Sequence, residues 1–436
     1  MRHLPAKYQP LAASIAAALC LSSNATASGF SVPEISTAGV GLANAVVANP
    51  DELGAIPYNP AAMAFHDGSS LSAGLLFLSP TFSVRTATGK HDSQNADWFA
   101  LPQIQGSAKL DGNWYWGLGI NAPFGLETHW PINTFPILSQ TLPVPSPPAP
   151  PGTRMPLPQP TVSSLEIVDV TPTFTYAVND QLALSAGADA YYARSAAVDT
   201  SVARLRGEGW GFGFNLSALY SQGPFSAGIN FHSAATIDID GHYRTTDSTL
   251  VMLGVPRGSP FEAQLDLPWR LQLGVRYAFT DRLAAEVDWT MTGWSEFEEL
   301  VAKSRANGAV IAADTNEWDD ANALRVGLTY DITEATQLRV GYSYDQGAQT
   351  SEHFSARIPD SDRQLYAIGV RQALSDGWEI EAGYLYAHNN ERDYTGSRPY
   401  DVNNPNDING TNAIAGTYES DAHLIALQVS KSFGTR

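Results

Sequence analysis

The sequence predicts an all-β membrane protein: an antiparallel transmembrane β-barrel of about fourteen strands with an N-terminal segment set apart from it. Three observations predict this class. Apolar and polar residues alternate with period two through the C-terminal half, the chain opens with an export signal, and the last strand ends on an aromatic residue. Of the 436 residues only 16% are charged, while 10% are aromatic and 36 are glycine. That mix suits strands better than long surface helices. Past the N-terminus no run approaches the ~18 apolar residues of a spanning helix. A barrel escapes that test, because its strands alternate lipid-facing and lumen-facing residues.

Residues 1–27 read as a signal peptide. Arg2 and Lys7 supply the positive start, Leu11 to Leu21 a short apolar core, and Ala25-Thr26-Ala27 the small residues a signal peptidase requires. The mature chain is expected to begin at Ser28. Cys20, the single cysteine, lies inside this segment behind Leu19, where a lipoprotein signal wants a small residue. The mature chain is thus expected to carry no disulfide, thiol chemistry or lipid anchor.

Residues 28–68 are rich in Gly, Ala, Asn and Pro and lack sustained alternation, which predicts a compact irregular segment with a short helix near Thr37 to Ala48. Strands are expected from residue 69, after the Asp67-Gly68 turn. Leu271, Leu273, Val275, Tyr277 and Phe279 alternate with Arg270, Gln272, Gly274, Arg276 and Ala278. After a two-residue turn at Thr280-Asp281, Leu283, Ala285, Val287, Trp289 and Met291 alternate with Arg282, Ala284, Glu286, Asp288 and Thr290. The same pattern recurs over Leu324 to Tyr330, Leu338 to Tyr344 and Trp378 to Tyr386. A soluble β-sandwich also alternates. Charged residues deep in the polar faces and aromatics near strand ends favour a lumen and interfacial girdles instead.

Short turns alternate with long polar connections at 243–261, 299–316 and 389–416, as periplasmic turns and external loops do. The final strand carries Ile425, Leu427, Val429 and Phe433 on one face, followed by Gly434-Thr435-Arg436. Such an ending is what the barrel assembly machinery reads. Residues 131–160 hold a dense proline run from Pro143 to Pro160, expected to form an external loop, semi-rigid or disordered.

The formal charge is −19, from 44 acidic and 25 basic residues. Nucleic acid is excluded as a partner, since binding it needs a basic surface. Acidic loops suit either divalent cations or plain solvation. There is no paired-histidine metal motif, nucleophile elbow or phosphate loop. Neither an enzyme nor a cofactor or metal site is expected.

The N-terminal residues Ser28-Gly29-Phe30, Gly39-Val40-Gly41-Leu42-Ala43 and Tyr58-Asn59-Pro60-Ala61-Ala62-Met63 resemble the hatch of FadL-type transporters, a family that includes toluene-uptake proteins. Gly209 to Asn215, Gly228 to Ser233 leading to Ile237-Asp238, Gly293-Trp294-Ser295-Glu296-Phe297 and Ile358-Pro359-Asp360-Ser361-Asp362-Arg363 are similar to the same family. The likeness spans nearly all of the mature chain apart from the proline-rich loop. It implies residues 28–68 as a hatch inside a barrel of residues 69–436. It also implies external ligand capture, a tighter site beside the mature N-terminus, and sideways release through a gap in the wall.

The resemblance assigns that gap to an inward kink of the third strand at Asn121, Pro123 and Gly125. Pro123 cannot donate to a ladder and Gly125 adds local freedom; the end of a strand would accommodate both equally. Phe30 matches an aromatic of the family's ligand pocket, and also suits simple packing. Asn59, Pro60 and Ala61 form a hatch turn and, by resemblance, a gate contact. Arg194 and Lys303 match cations for a ligand carboxylate, although a lumen arginine paired with Asp or Glu is the plainer role.

The function expected is passive uptake of long-chain fatty acids or similar hydrophobic molecules across a Gram-negative outer membrane. An aromatic or alkane hydrocarbon channel of the same family is the alternative. A non-transporting barrel serving as adhesin or phage receptor is the reading from another class. Partners expected are the hydrophobic ligand, outer-membrane lipid and lipopolysaccharide, with the protein a monomer.

Overall fold

The computed structural model describes residues 29–94, 98–144, 146 and 149–434, so the signal peptide and Ser28 lie outside the described residues. Fourteen antiparallel staves follow one another round the ring. They are β1 (Ser69–Thr86), β2 (Gly89–Asp92 continued by Phe99–Lys109), β3 (Trp114–His129), β4 (Pro160–Asn179), β5 (Leu182–Thr200) and β6 (Ala203–Gln222). Next come β7 (Phe225–His232 and Ala235–Thr245), β8 (Gly258–Leu267 and Arg270–Ala278), β9 (Leu283–Thr292 and Glu299–Ser304) and β10 (Val310–Thr315 and Ala321–Asp331). The last four are β11 (Thr336–Asp345), β12 (Arg363–Ala373), β13 (Trp378–Asn389) and β14 (Gly416–Phe433). The seam runs from Ser69↔Phe433 to Arg85↔Thr417, pairing β1 with β14 and leaving no sheet edge.

Alternation sorts side chains as the sequence requires. On β8, Leu273, Val275 and Tyr277 are exposed on the outer wall, while Gln272 and Arg276 are buried on the lumen side. One end of the barrel has only short turns. At Thr280 the turn spans three residues rather than two, because Phe279 N–H closes on Leu283 O at 2.8 Å. The Thr280 hydroxyl accepts from the amides of Arg282 and Leu283 (3.2 and 3.0 Å), which stabilises the longer turn.

The segment 29–66 lies within the ring and touches staves on opposite sides of it. Its helix α1 spans only Thr37–Gly41, capped by the Ser36 hydroxyl accepting from Gly39 N–H at 3.1 Å. It stops short of Ala48 because Ala43 and Asn44 adopt positive φ (48° and 66°), which no helix continues through. The remaining backbone is irregular, and its polar groups need partners. Lumen-facing side chains supply them. Asp288 accepts from Val46 and Val47 N–H (2.8 and 3.0 Å), Glu286 from Ala48 N–H (2.6 Å), and Gln105 donates to Leu53 O (2.7 Å). Arg339, fully buried, bridges Glu52 of the inner segment and Glu381 of β13.

At the loop end, Trp130, Phe135, Leu138 and Leu157 pack with Phe354, Tyr394 and Tyr418 into a second apolar cluster. The proline-rich connection is therefore anchored at both ends, where a freer insertion was expected. Trp130 Nε1 donates to Ala356 O (2.7 Å), and a short ladder joins Thr141–Pro143 to Arg154–Pro156.

Candidate functional site: a wall window beside an apolar pocket

The β2–β3 ladder runs from Lys109↔Tyr115 only as far as Ile104↔Ile120. Beyond it β3 turns inward, and its register with β4 breaks between Asn121 and Phe124. Pro123 has no N–H to offer β2, so the ladder cannot pass through it. The freed edge finds another partner: Val32 N–H donates to Pro123 O (2.8 Å), Gly125 N–H donates to Phe30 O (3.0 Å), and Ser31 bridges Phe124. The inner segment thus acts locally as the missing strand. Higher up, β3 is tied again to the wall, by Gln94 N–H to His129 O and His129 N–H to Ser93 Oγ, both 2.8 Å. A window is left between, with a cavity of about 370 Å³ lined by Leu78, Phe99, Leu101, Leu126, Leu165 and Val32 among others.

Phe30 forms the inner side of this window. Its ring lies 4.7 Å from Trp294, 5.5 Å from Phe297, 5.9 Å from Phe124 and 6.0 Å from Trp318. Gly29 makes that cage possible, since a Cβ there would stand 2.5 Å from Trp318 and 2.7 Å from Trp294. Behind Phe30 a cavity of about 110 Å³ is walled by Leu165, Val198, Leu205, Ile239, Leu265 and Ala302. Its charged lining is Arg357 with Asp314, paired at 3.6 Å. Arg357 Nη1 also donates to Ser163 Oγ (3.2 Å) and to Asp199 O (3.1 Å). Leu126, Ser164, Leu165 and Ile358 line both cavities, so pocket and window adjoin.

Below the loop roof, Asp360 holds the start of the inner segment. Its carboxylate accepts from the amides of Gly29, Ala348 and Gln349. Burial pushes its carboxyl up to about 6, against the opposing pull of those amides and of Arg363.

The structure brings Phe30, Asn121, Pro123 and Gly125 together at the break. Asn121 is buried, and its Oδ1 has no partner among the described residues. Asn59, Pro60 and Ala61 lie deeper. Asn59 Nδ2 spans Val47 O (2.8 Å) and Ala218 O of β6 (3.1 Å), Ala61 N–H reaches Ser217 Oγ (3.2 Å), and a cavity of about 30 Å³ separates Pro60 from Asn121. Two residues stand elsewhere than a ligand cation inside the pocket would. Arg194 has a side chain 66% exposed and pairs with Glu166 at 2.7 Å on the window's outer rim. Its even position on β5 shares the outward parity of Leu184, Ala186 and Ala188, while Asp189, Tyr191 and Ala193 face inward. Lys303 is exposed opposite Glu262, because its neighbour Ala302 takes the inward place on β9. The buried cation beside the pocket is Arg357, which sequence reasoning missed, although it directly precedes the Ile358-Pro359-Asp360 stretch.

A closed barrel with a filled lumen, an apolar pocket and a side window defines an outer-membrane transport protein rather than an enzyme. The chain belongs to the outer membrane protein transport protein family (OMPP1/FadL/TodX), whose model matches residues 18–136 and 159–433. The unmatched stretch between falls on the proline-rich loop. A long-chain fatty acid transport protein of Escherichia coli O6:H1 is 25% identical, covering 88% of this chain and 92% of that protein. The 47 kDa outer membrane protein of Pasteurella multocida is 24% identical over 85% of this chain and 90% of its own. Among solved structures, a FadL homologue of Pseudomonas aeruginosa superposes with TM-score 0.74 at 20% identity, covering 93% of this chain and 100% of that one. The toluene transporter TodX of Pseudomonas putida gives 0.68 at 15% identity, with 93% and 100% covered.

Proposed function

We propose that this barrel takes up long-chain fatty acids or closely similar amphiphiles, holding them behind Phe30 and releasing them sideways through the β2–β3 window. The observation that carries the reading is the contiguity of an apolar pocket with a wall opening. An apolar chain gains by never entering water, so a greasy pocket leading to lipid suits it where a wet pore would not. Residues 29–42 are the moving part in this proposal. Displacing Phe30 to Val32 from β3 joins pocket to window while the ladders of the wall stay intact.

Arg357 favours an anionic head. A buried guanidinium whose one ion pair among the described residues, with Asp314, is as long as 3.6 Å can turn part of its fork to a ligand carboxylate. The predominantly apolar remainder of the lining favours a neutral hydrocarbon as the second reading. Native mass spectrometry of ligand co-purified with the barrel separates the two. An Arg357→Leu variant is expected to lose about 10-fold or more in oleate affinity while toluene binding holds. Equal loss for both ligands would overturn the carboxylate assignment.

A further inference from the structure

The outer face of β6 and β7 carries basic residues that ligand transport leaves unused. Along β6 the outward row reads Arg204, Arg206, Glu208, Trp210, Phe212, Phe214, Leu216, Ala218, Tyr220. Trp210 and Phe212 are exposed, and Trp210 stacks on Tyr192 with ring centres 4.6 Å apart. From Trp210 to Tyr220 is ten residues, which at ~3.3 Å per residue and a tilt of about 40° spans roughly 25 Å, the height of a barrel's apolar band. Trp210 therefore marks the outer interface. Arg206 stands about 10 Å above it, within snorkelling reach of lipid headgroups.

The register concentrates positive charge at that height. Arg244 of β7 lies directly opposite Arg204, and His242 directly opposite Arg206. Like charges in directly opposed pairs repel unless an anion lies between them. At the height of Arg204 and Arg244 a single carboxylate among the described residues faces this cluster, while Glu208 and Asp240 form a directly opposed acidic pair nearer Trp210. Asp199, nearly buried, is the one acid pairing with Arg206 (2.9 Å) and Arg204 (3.9 Å), both of which remain 60% exposed. Arg244 is exposed and has no ion pair among the described residues. Nearby Glu208 accepts from the Tyr192 hydroxyl at 3.0 Å, and Asp240 is taken by Arg305. In a chain of formal charge −19, Asp199 serves two of the three arginines and Arg244 pairs with no acid among the described residues, so the Arg204–Arg244 tier is locally positive above the Glu208–Asp240 pair.

We propose that Arg204, Arg206 and Arg244 form a binding site for the phosphate groups of an outer-leaflet lipid, the bisphosphorylated lipid A headgroup. Guanidinium forks match phosphate oxygens bidentately. Acyl chains below such a headgroup would lie along Trp210, Phe212 and Phe214. Such a site holds the barrel at a fixed depth in the leaflet and is independent of what the barrel transports.

The test uses the full-length mature barrel, stripped of lipid in detergent and titrated with bisphosphorylated lipid A under native mass spectrometry. An Arg204→Gln/Arg206→Gln/Arg244→Gln variant is expected to lose on the order of 100-fold in lipid A affinity, about fivefold per arginine. An Lys109→Gln/Arg282→Gln variant, altered at the short-turn end, should bind as the parent does. Dephosphorylated lipid A should bind the parent no better than it binds the triple variant. Retained affinity in the triple variant overturns the proposal, as does equal binding of both lipids by the parent. The Arg→Lys triple variant guards against misfolding: partial retention supports the site, and complete loss with normal heat-modifiable migration counts against phosphate recognition.

Discussion

Gly29 sits at φ +51° with two indole rings against the place a side chain would fill. Alanine there meets both a disfavoured backbone and a steric clash, about 1–2 kcal/mol for the backbone alone. The Phe30 ring should then be pushed from its cage. Gly29→Ala is expected to cut oleate uptake severalfold in cells, with the barrel's heat-modifiable migration unchanged; normal uptake would show that the cage is not needed. Asp360 adds a pH dependence. Its folded carboxyl, at about 6, lies above the ordinary 3.8, so its stabilising contribution is complete below about pH 4 and is lost as pH rises through 6. The difference of about two units is worth at most about 3 kcal/mol. Hydrogen exchange should therefore find residues 346–362 better protected at pH 5 than at pH 7.5. Asp360→Asn should flatten that difference.

Among the elements, β3 and the inner segment share one ladder, and each is tested through the other. Valine at Asn121, Pro123 and Gly125 restores donors and β-propensity to the break. The β2–β3 ladder should extend past Ile120 and the window narrow. Oleate uptake is expected to fall at least tenfold; unchanged uptake would count against lateral release. Deleting residues 28–42 should abolish uptake while the barrel still assembles, because the contacts of Val46, Val47 and Ala48 with Asp288 and Glu286 lie outside the deleted stretch. Normal growth of that strain on oleate would reject the inner segment as gate. The Arg339 bridge is the stronger tether. Removing it leaves Glu52 and Glu381 buried without a cation, typically 3–5 kcal/mol. Arg339→Ala should raise hydrogen exchange over residues 52–66 with little change on the outer wall.

At the scale of the whole molecule, most of the fold was legible because a barrel wall writes itself as alternation. β8, β9, β11 and β13 could be read residue by residue. Pro123 and Gly125 were singled out by the resemblance, since their residue types alone suited the end of a strand as well. Parity also reads Arg194 and Lys303, against the role the resemblance gave them. Even positions of β5 face outward from Leu184 on, and odd positions of β9 do so from Val287 across the break at 293–298, which puts both cations on the outer face. Arg357 was hidden because it sits in a loop, where no period points its side chain anywhere. The length of α1 was missed because nothing in Ala43-Asn44 announces left-handed backbone.

The seam between β1 and β14 also fixes an order of events. The residues that fill the lumen run directly into β1, one side of that seam, and β14 forms the other. Until β14 arrives, β1 has no partner on that side, and the ring is an open sheet with its polar rows exposed. Residues 29–66 hydrogen-bond to β2, β4, β6, β7 and β9 well inside the wall. They can meet those staves while the sheet is still open. The inner segment then serves as a mandrel for the sheet that curls round it, and sealing the seam traps it there.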